Sequence, residues 1–232
     1  MDHVDYEYWA RYISLIFERY GTNIRTVLET ACGTGSLSII LQKKYGYCMT
    51  GMDLSPDMLF VAADKIRGES RPVRLFAADI TALPVSGMFD GVLCLYDSIN
   101  YISDPAIFVR AIGEVAGVLR GGGLFVFDIC TLKNSLMFFS QKTLSEEIGS
   151  VTYRRKCRFH SRLRIQENSF VIEENGKTYT EKHLQKIYYL DEVKAMIAHP
   201  LFETVGIFDD MTFIPGSEDS ERVHFVLRKK ES

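Results

Sequence analysis

The chain has 232 residues, 47% of them hydrophobic and 25% charged, with a formal net charge of -3. That is enough for one sizeable core, or for one core with an insertion, and the charge gives no overall pull toward nucleic acid or an anionic membrane. The start, MDHVDYEYWARY, lacks the basic n-region of a signal peptide, and no apolar run reaches transmembrane length, so a cytoplasmic protein is expected.

Residues 5–20 read as an amphipathic, aromatic-rich helix carrying Tyr6, Tyr8, Trp9, Tyr12, Phe17 and Tyr20. A strand at 25–31 runs through Gly33-Thr34-Gly35 into a helix at 35–45. A second strand, Tyr47–Asp53, is followed by Ser55-Pro56-Asp57, a helix opening with serine at the cap, proline at the first position and an acid in the first turn. Short strands at Arg74–Ala78 and Phe89–Leu95, a helix at 106–119 behind Asp104-Pro105, and a strand at Leu124–Asp128 complete the first half. The glycines Gly121-Gly122-Gly123 are expected to end that helix. This alternation is that of a doubly wound α/β sheet.

The rhythm changes near residue 131. Val151–His160, Arg164–Glu173 and Thr178–Tyr189 read as antiparallel strands, the last two joined by a turn at Glu174-Asn175-Gly176-Lys177. A helix at Leu190–Ala198 and strands at Thr204–Phe208 and Arg222–Lys229 follow. Five cysteines, Cys32, Cys48, Cys94, Cys130 and Cys157, lack paired spacing and point to reduced thiols. Neither cysteines nor histidines have metal-ligand spacing, so no metal is expected.

The chemistry concentrates at the first turn. Glycines at 33 and 35 permit dihedrals and close approaches that a side chain forbids, and the helix after them begins with unpaired backbone N–H groups. Eighteen residues after Gly35, Asp53 ends the next strand with a carboxylate suited to a ribose diol. Together they place an adenosine-containing cofactor across the carboxyl ends of the sheet. A dinucleotide fingerprint wants a third glycine where this chain has Ser38, and Glu29 near the turn would repel a pyrophosphate. A cofactor bearing a sulfonium and an ammonium suits the same acid.

The run Glu29-x-Ala31-Cys32-Gly33-x-Gly35, with Asp53 behind it, resembles the glycine-rich loop and ribose acid of the class I S-adenosylmethionine-dependent methyltransferases. The resemblance implies a Rossmann-like, seven-stranded, mostly parallel sheet closed by antiparallel strands, with S-adenosyl-L-methionine as cofactor. It divides the chain into a cofactor-binding domain of 1–149 and 190–232 and a small antiparallel lid over the substrate, 150–189. It implies cofactor contacts from Glu29, Ala31, Gly33, Gly35, Asp53, Leu54 and Met58, from Ala78-Asp79-Ile80 at the adenine, from Leu95-Tyr96 at the methionine end, and from Trp9 on the first helix, where an aromatic face suits a sulfonium.

The segment Asp97-Ser98-Ile99-Asn100-Tyr101 lacks the paired prolines of nucleic-acid amine methylases and looks more like the small-molecule N- or O-methyltransferases. Asp97, Asn100 and Tyr188 are therefore candidates to bind the acceptor, and Tyr8, Tyr101 and His183 to act on it. His183 is chosen because imidazole titrates near neutrality. The basic insertion, with Arg154, Arg155, Lys156 and Arg158, suits a phosphate- or carboxylate-bearing substrate, an RNA, or merely a solvated face. The expectation is methyl transfer to a small-molecule amine by a monomer or homodimer with no nucleic-acid or membrane partner. An RNA or protein methyltransferase, or a non-catalytic binder of the cofactor, are the alternatives.

Overall fold

A computed structural model describes residues 4–85, 89–149, 151–174 and 176–231. Seven strands form one sheet: β1 (Thr26–Glu29), β2 (Cys48–Asp53), β3 (Arg74–Ala77), β4 (Phe89–Cys94), β5 (Leu119–Cys130), β10 (Phe202–Asp209) and β11 (Arg222–Lys229). Their order is β10-β11-β5-β4-β1-β2-β3. Strands β1 to β5 pair in parallel, and β11 runs antiparallel between β5 and β10. The chain leaves β1 toward β2 and β3, then returns on its other side with β4. The crevice this reversal opens at the carboxyl ends of β1 and β4 is where doubly wound sheets bind ligands.

Two apolar layers sandwich the sheet. On one side α1 (Tyr6–Tyr20) and α2 (Ser36–Tyr45) cover Val27, Met49, Leu93 and Val126; on the other α4 (Pro105–Val118) and α6 (Leu190–Ile197) cover Leu28, Val92, Phe125 and Phe127. The caps legible in the sequence form as written. Ser55 Oγ accepts from the Met58 N–H at the start of α3 (Pro56–Lys65), and Asp104 Oδ1 accepts from Ala106 N–H at the start of α4.

The glycine triplet behaves otherwise than expected. Helix α4 ends at Val118 and the chain enters β5 at once, so Gly121, Gly122 and Gly123 lie inside a strand. Pairing of β5 with β4 slips between Phe89 and Gly91. Gly122 takes a φ of +74°, and a Cβ on Gly123 would stand 2.9 Å from the Asp90 carbonyl oxygen. The glycines thus serve an irregularity in parallel pairing.

The insertion is also larger than the three expected strands. After α5 (Leu132–Phe138), a four-stranded antiparallel sheet runs β6 (Lys142–Ile148), β7 (Val151–His160), β8 (Ile165–Glu174) and β9 (Lys177–Lys186) in sequential order. Strand β6 was missed because Lys142–Ile148 is polar and sits at a sheet edge, so it lacks the hydrophobic alternation that signals a strand. Asn175 of the β8–β9 turn lies outside the described residues.

The lid is fastened to the main sheet by buried polar contacts. Asn100 Nδ2 donates to the Lys186 carbonyl at 2.7 Å, and Asn100 Oδ1 accepts from Cys130 N–H at 3.1 Å. Gln166 Oε1 accepts from Ser135 Oγ, and Gln185 Nε2 donates to Asp97.

Candidate active site

The first turn is built by Glu29, Ser38 and Asp53. Glu29 ends β1 buried, and Ser38 of α2 donates its hydroxyl to the Glu29 carboxyl at 2.5 Å. Burial pushes the Glu29 carboxyl up to about 7, against the Ser38 hydrogen bond that pulls it down. Asp53 Oδ2 accepts from Gly33 N–H at 2.8 Å and Oδ1 from Ser55 N–H at 2.9 Å, so this acid ties the loop to the end of β2. Each of its oxygens keeps a second lone pair.

Gly33 (φ +53°) and Gly35 (φ +73°) hold the left-handed conformations that favour glycine, and a Cβ on Gly33 would meet nothing within 4 Å. Gly51 answers from β2, where a Cβ would come within 2.9 Å of Cys32 Sγ. Cys32 is buried, and burial raises its thiol, as an inert packing cysteine requires. All five cysteines are free. Beside Asp53 stand the exposed side chains of Leu54 and Met58. Asp79 is exposed and uses only Oδ1, on Thr81 N–H and Oγ1. Ala31, Ala78 and Ile80 are half-buried around the same strand ends.

The far wall of the crevice is strained backbone held by charge. Tyr96 (φ +62°) and Asp97 (φ +51°) both take left-handed conformations without being glycine. Asp128, at the end of β5, accepts both of their N–H groups, at 2.6 and 2.8 Å. Arg222 of β11 bridges the Asp97 and Asp128 carboxylates, 2.8 Å from Asp97. Burial pushes both carboxyls up and Arg222 pulls them back; burial would lower Arg222, and the two acids more than offset that. The guanidinium lies against the rings of Trp9 and Tyr96, 5.5 and 5.2 Å from their centroids.

Several expected side chains are placed differently. Trp9 is 4% exposed, an interior wedge between Tyr96 and His224 with Arg222 over its ring. His224 is buried beside Arg222, and burial drives its imidazole down to about 3. Leu95 is buried, its carbonyl taken by Ser98 Oγ, and the Tyr96 N–H is taken by Asp128, so neither of these backbone groups is open at the crevice. Asn100 is fully buried with both amide atoms on backbone, so it is a latch and not an acceptor contact. Tyr188 is buried against Phe108 and donates to the Ile102 carbonyl, which removes it from the acceptor as well. Asp97 is held by Arg222 and Gln185.

Tyr8 is 48% exposed on α1, whereas Tyr6 lies close enough to Tyr96 and Glu29 that their charges add to the effect of burial in raising its phenol. Helical spacing carried that signal: Tyr6, Trp9 and Ile13 share a face and Tyr8 does not.

Tyr101 and His183 do come together. The Tyr101 hydroxyl and His183 Nδ1 are 2.9 Å apart, joining the turn after β4 to strand β9 of the lid, and His183 Nε2 lies 3.3 Å from Glu181 Oε2. Burial raises the Tyr101 phenol to about 12, with Asp97 adding to it. Among the described residues no His, Cys, Asp and Glu cluster could hold a metal ion.

Comparison with known proteins agrees with this geometry. Residues 27–123 match the family model of a methyltransferase domain. Over its whole length the chain is similar to the "Putative methyltransferase YqeM" of Bacillus subtilis (strain 168), 28% identical over 238 residues, covering 100% of this chain and 94% of that protein. It is 28% identical over 235 residues to a relative of like name from Geobacillus sp. (strain WCH70), covering 99% and 95%. Its fold is that of an S-adenosylmethionine-dependent methyltransferase from Clostridium acetobutylicum ATCC 824, with a TM-score of 0.86 at 24% identity over 99% of this chain and 94% of that one. The chain carries a methyltransferase domain and is a methyltransferase enzyme. Its cofactor is S-adenosylmethionine. At the crevice the methyltransferase has an open glycine turn, a helix start at Gly35 without a side-chain cap, a strand-end acid and a buried acid.

Proposed function

We propose that this methyltransferase carries a methyl group to the nitrogen of a small-molecule amine, held between the Asp97–Tyr101 turn and the lid. The observation that carries this reading is the 2.9 Å contact of Tyr101 with His183, which sets a proton-accepting pair where the lid meets the crevice. Support comes also from structural neighbours named for small amines, such as the sugar N-methyltransferase KedS8 from Streptoalloteichus sp ATCC 53650 (TM-score 0.79, 22% identity). A glycine/sarcosine N-methyltransferase is 33% identical over 106 residues.

When bound, S-adenosylmethionine supplies a methyl carbon made electrophilic by its sulfonium. In this reading Gly33 and Gly35 admit the cofactor against bare backbone, Asp53 accepts from the ribose hydroxyls, and Glu29 supplies negative charge toward the amino acid end. Leu54 and Met58 flank the adenosine, with Asp79 at the adenine. The Tyr6 and Tyr96 rings face the sulfonium side. Tyr101 and His183 orient the acceptor and accept the proton an ammonium must lose before nitrogen can attack. Alignment and exclusion of water are the principal tasks.

The lid's charges argue against an RNA acceptor. Strand alternation puts Arg154, Lys156 and Arg158 on the face opposite Arg155, Phe170 and His183, and it is the latter face that meets the crevice. A cytoplasmic setting fits the free cysteines. The experiment is calorimetric titration with S-adenosylhomocysteine followed by transfer of labelled methyl to a library of small amines. Cofactor binding with label appearing only on hydroxyl or carboxylate compounds would overturn the nitrogen assignment.

A further inference from the structure

Three cations share the inner face of the lid, Lys142, Arg155 and Lys177, and of these only Arg155 is half-buried. Register places Arg155 beside Phe170, and Asn168 beside His183, so all four share the face that meets Tyr101. Arg155 Nε and Nη2 both donate to Asn168 Oδ1, at 3.3 and 3.0 Å. Asn168 is buried, so this hold is sheltered from water. The guanidinium also lies 5.0 Å from the Phe139 ring centroid and 5.5 Å from that of Phe170.

Among the described residues no carboxylate pairs with Arg155. On the outer face Arg154 pairs with Glu173 and Lys182 with Glu167. Glu146 and Glu181 share the inner face with Arg155, and Glu181 is committed to His183. The charge of Arg155 is felt at both Tyr96 and Tyr101, which flank the crevice. With the Nε–Nη2 edge taken by Asn168, the Nη1–Nη2 edge remains. That edge offers two parallel N–H donors, the fork that matches an oxyanion.

We infer that Arg155, positioned by Asn168, Phe139 and Phe170, docks an oxyanion of the acceptor, a carboxylate or a phosphate, on its Nη1–Nη2 edge. The acceptor is then an amine that also carries negative charge, read at two points: nitrogen at Tyr101 and His183, anion at Arg155. A half-buried guanidinium without an acid partner is costly when empty and selective when filled. The inference rests on the proposed use of the crevice for the acceptor.

The test uses whole protein with 15N-labelled arginine, saturated with S-adenosylhomocysteine. Sodium acetate and inorganic phosphate are titrated separately at constant ionic strength, with chloride as reference. The Arg155 Nε–H resonance, identified by its loss in Arg155→Met, should shift saturably with at least one of the two, at millimolar concentration and at least tenfold below any effect of chloride. Saturation by acetate assigns a carboxylate; saturation by phosphate assigns a phosphate. Arg155→Lys, which keeps charge but loses the fork, should weaken the anion at least threefold as read on Tyr101 and His183 resonances. Shifts that track ionic strength alone, or an unchanged titration of Tyr101 and His183 in Arg155→Met, overturn the proposal. Calorimetry separates the two readings: absent S-adenosylhomocysteine binding would sink the crevice assignment, and the anion titration on cofactor-free protein would still decide Arg155.

Discussion

The hydroxyl of Ser38 lies 2.5 Å from the buried carboxyl of Glu29, spanning the turn between β1 and α2. Ser38 stands where a dinucleotide-binding turn would have its third glycine, and its hydroxyl is what keeps an acid beneath the loop. Burial pushes Glu29 up to about 7. Its unfolded value is near 4.3. Between those values the folded, cofactor-free protein keeps a proton that the unfolded chain releases, so stability falls as pH rises from about 4.3 to about 7. The slope is at most ~1.4 kcal/mol per pH unit, one proton's worth.

A cationic cofactor reverses that preference. Binding of S-adenosylmethionine should strengthen as pH rises toward 7, level off above it, and release a proton below it. Calorimetry in two buffers of different ionisation enthalpy at pH 6 measures the release. Glu29→Gln should abolish both the release and the pH dependence; a slope that persists in this variant would rule Glu29 out as its source.

Asp53→Ala removes the acceptor for Gly33 and Ser55 N–H groups together with the proposed ribose contact. Affinity for S-adenosylhomocysteine should fall by ~1–3 kcal/mol, the scale of lost charge-assisted hydrogen bonds. Unchanged affinity by calorimetry would remove Asp53 from the site.

Arg222→Met leaves Asp97 and Asp128 buried beside each other without a counter-charge. Loss of one partner from such a cluster costs ~3–5 kcal/mol, and chemical denaturation should show a loss of that size. The double variant Arg222→Met with Asp97→Asn should recover part of it. Full stability of the single variant would mean that the cluster is solvated in solution.

Tyr101→Phe and His183→Ala each break the contact that joins the crevice to the lid. With an amine acceptor identified by methyl transfer, each should lower kcat about 10²-fold, the low end for a proton-transfer group. S-adenosylhomocysteine affinity should stay within twofold. The double variant should lose little more than either single one, because both act through one hydrogen bond. Strictly additive losses would show that the two residues act separately.

Asn100→Ala orphans the Cys130 N–H and the Lys186 carbonyl. A cost of ~1–3 kcal/mol is expected for buried backbone groups left unmade. Faster hydrogen exchange across β9 would show that the lid's fastening is what was lost.

The cofactor half of the fold was legible because it depends on short-range rules. Asp53, Ser55-Pro56, Asp104-Pro105 and the glycine turn declare themselves through caps, strand ends and spacing, and the parallel sheet follows from the strand–helix rhythm. The lid half was not, because it is set by register between distant strands. Nothing local marks Asn100 as a latch, Tyr188 as core, or Arg155 as the inward-facing arginine among Arg154, Lys156 and Arg158. Alternation within β7 separates its two faces, but only the contact with Tyr101 says which one looks inward. Asp128 and Arg222 were seen merely as the end and the start of strands; 94 residues separate them, and neither belongs to a motif.

The dependence of Tyr96 and Asp97 on Asp128 and Arg222 sets an order of assembly. A ribosome delivers the glycine turn, Asp53 and the strained crevice wall long before Arg222 leaves the exit tunnel. Until β11 slots between β5 and β10, Asp97 and Asp128 face each other as uncompensated acids, and like charge pushes the wall open. Strand β11 completes the wall, so a chain cut short upstream of it lacks the counter-charge of Asp97 and Asp128.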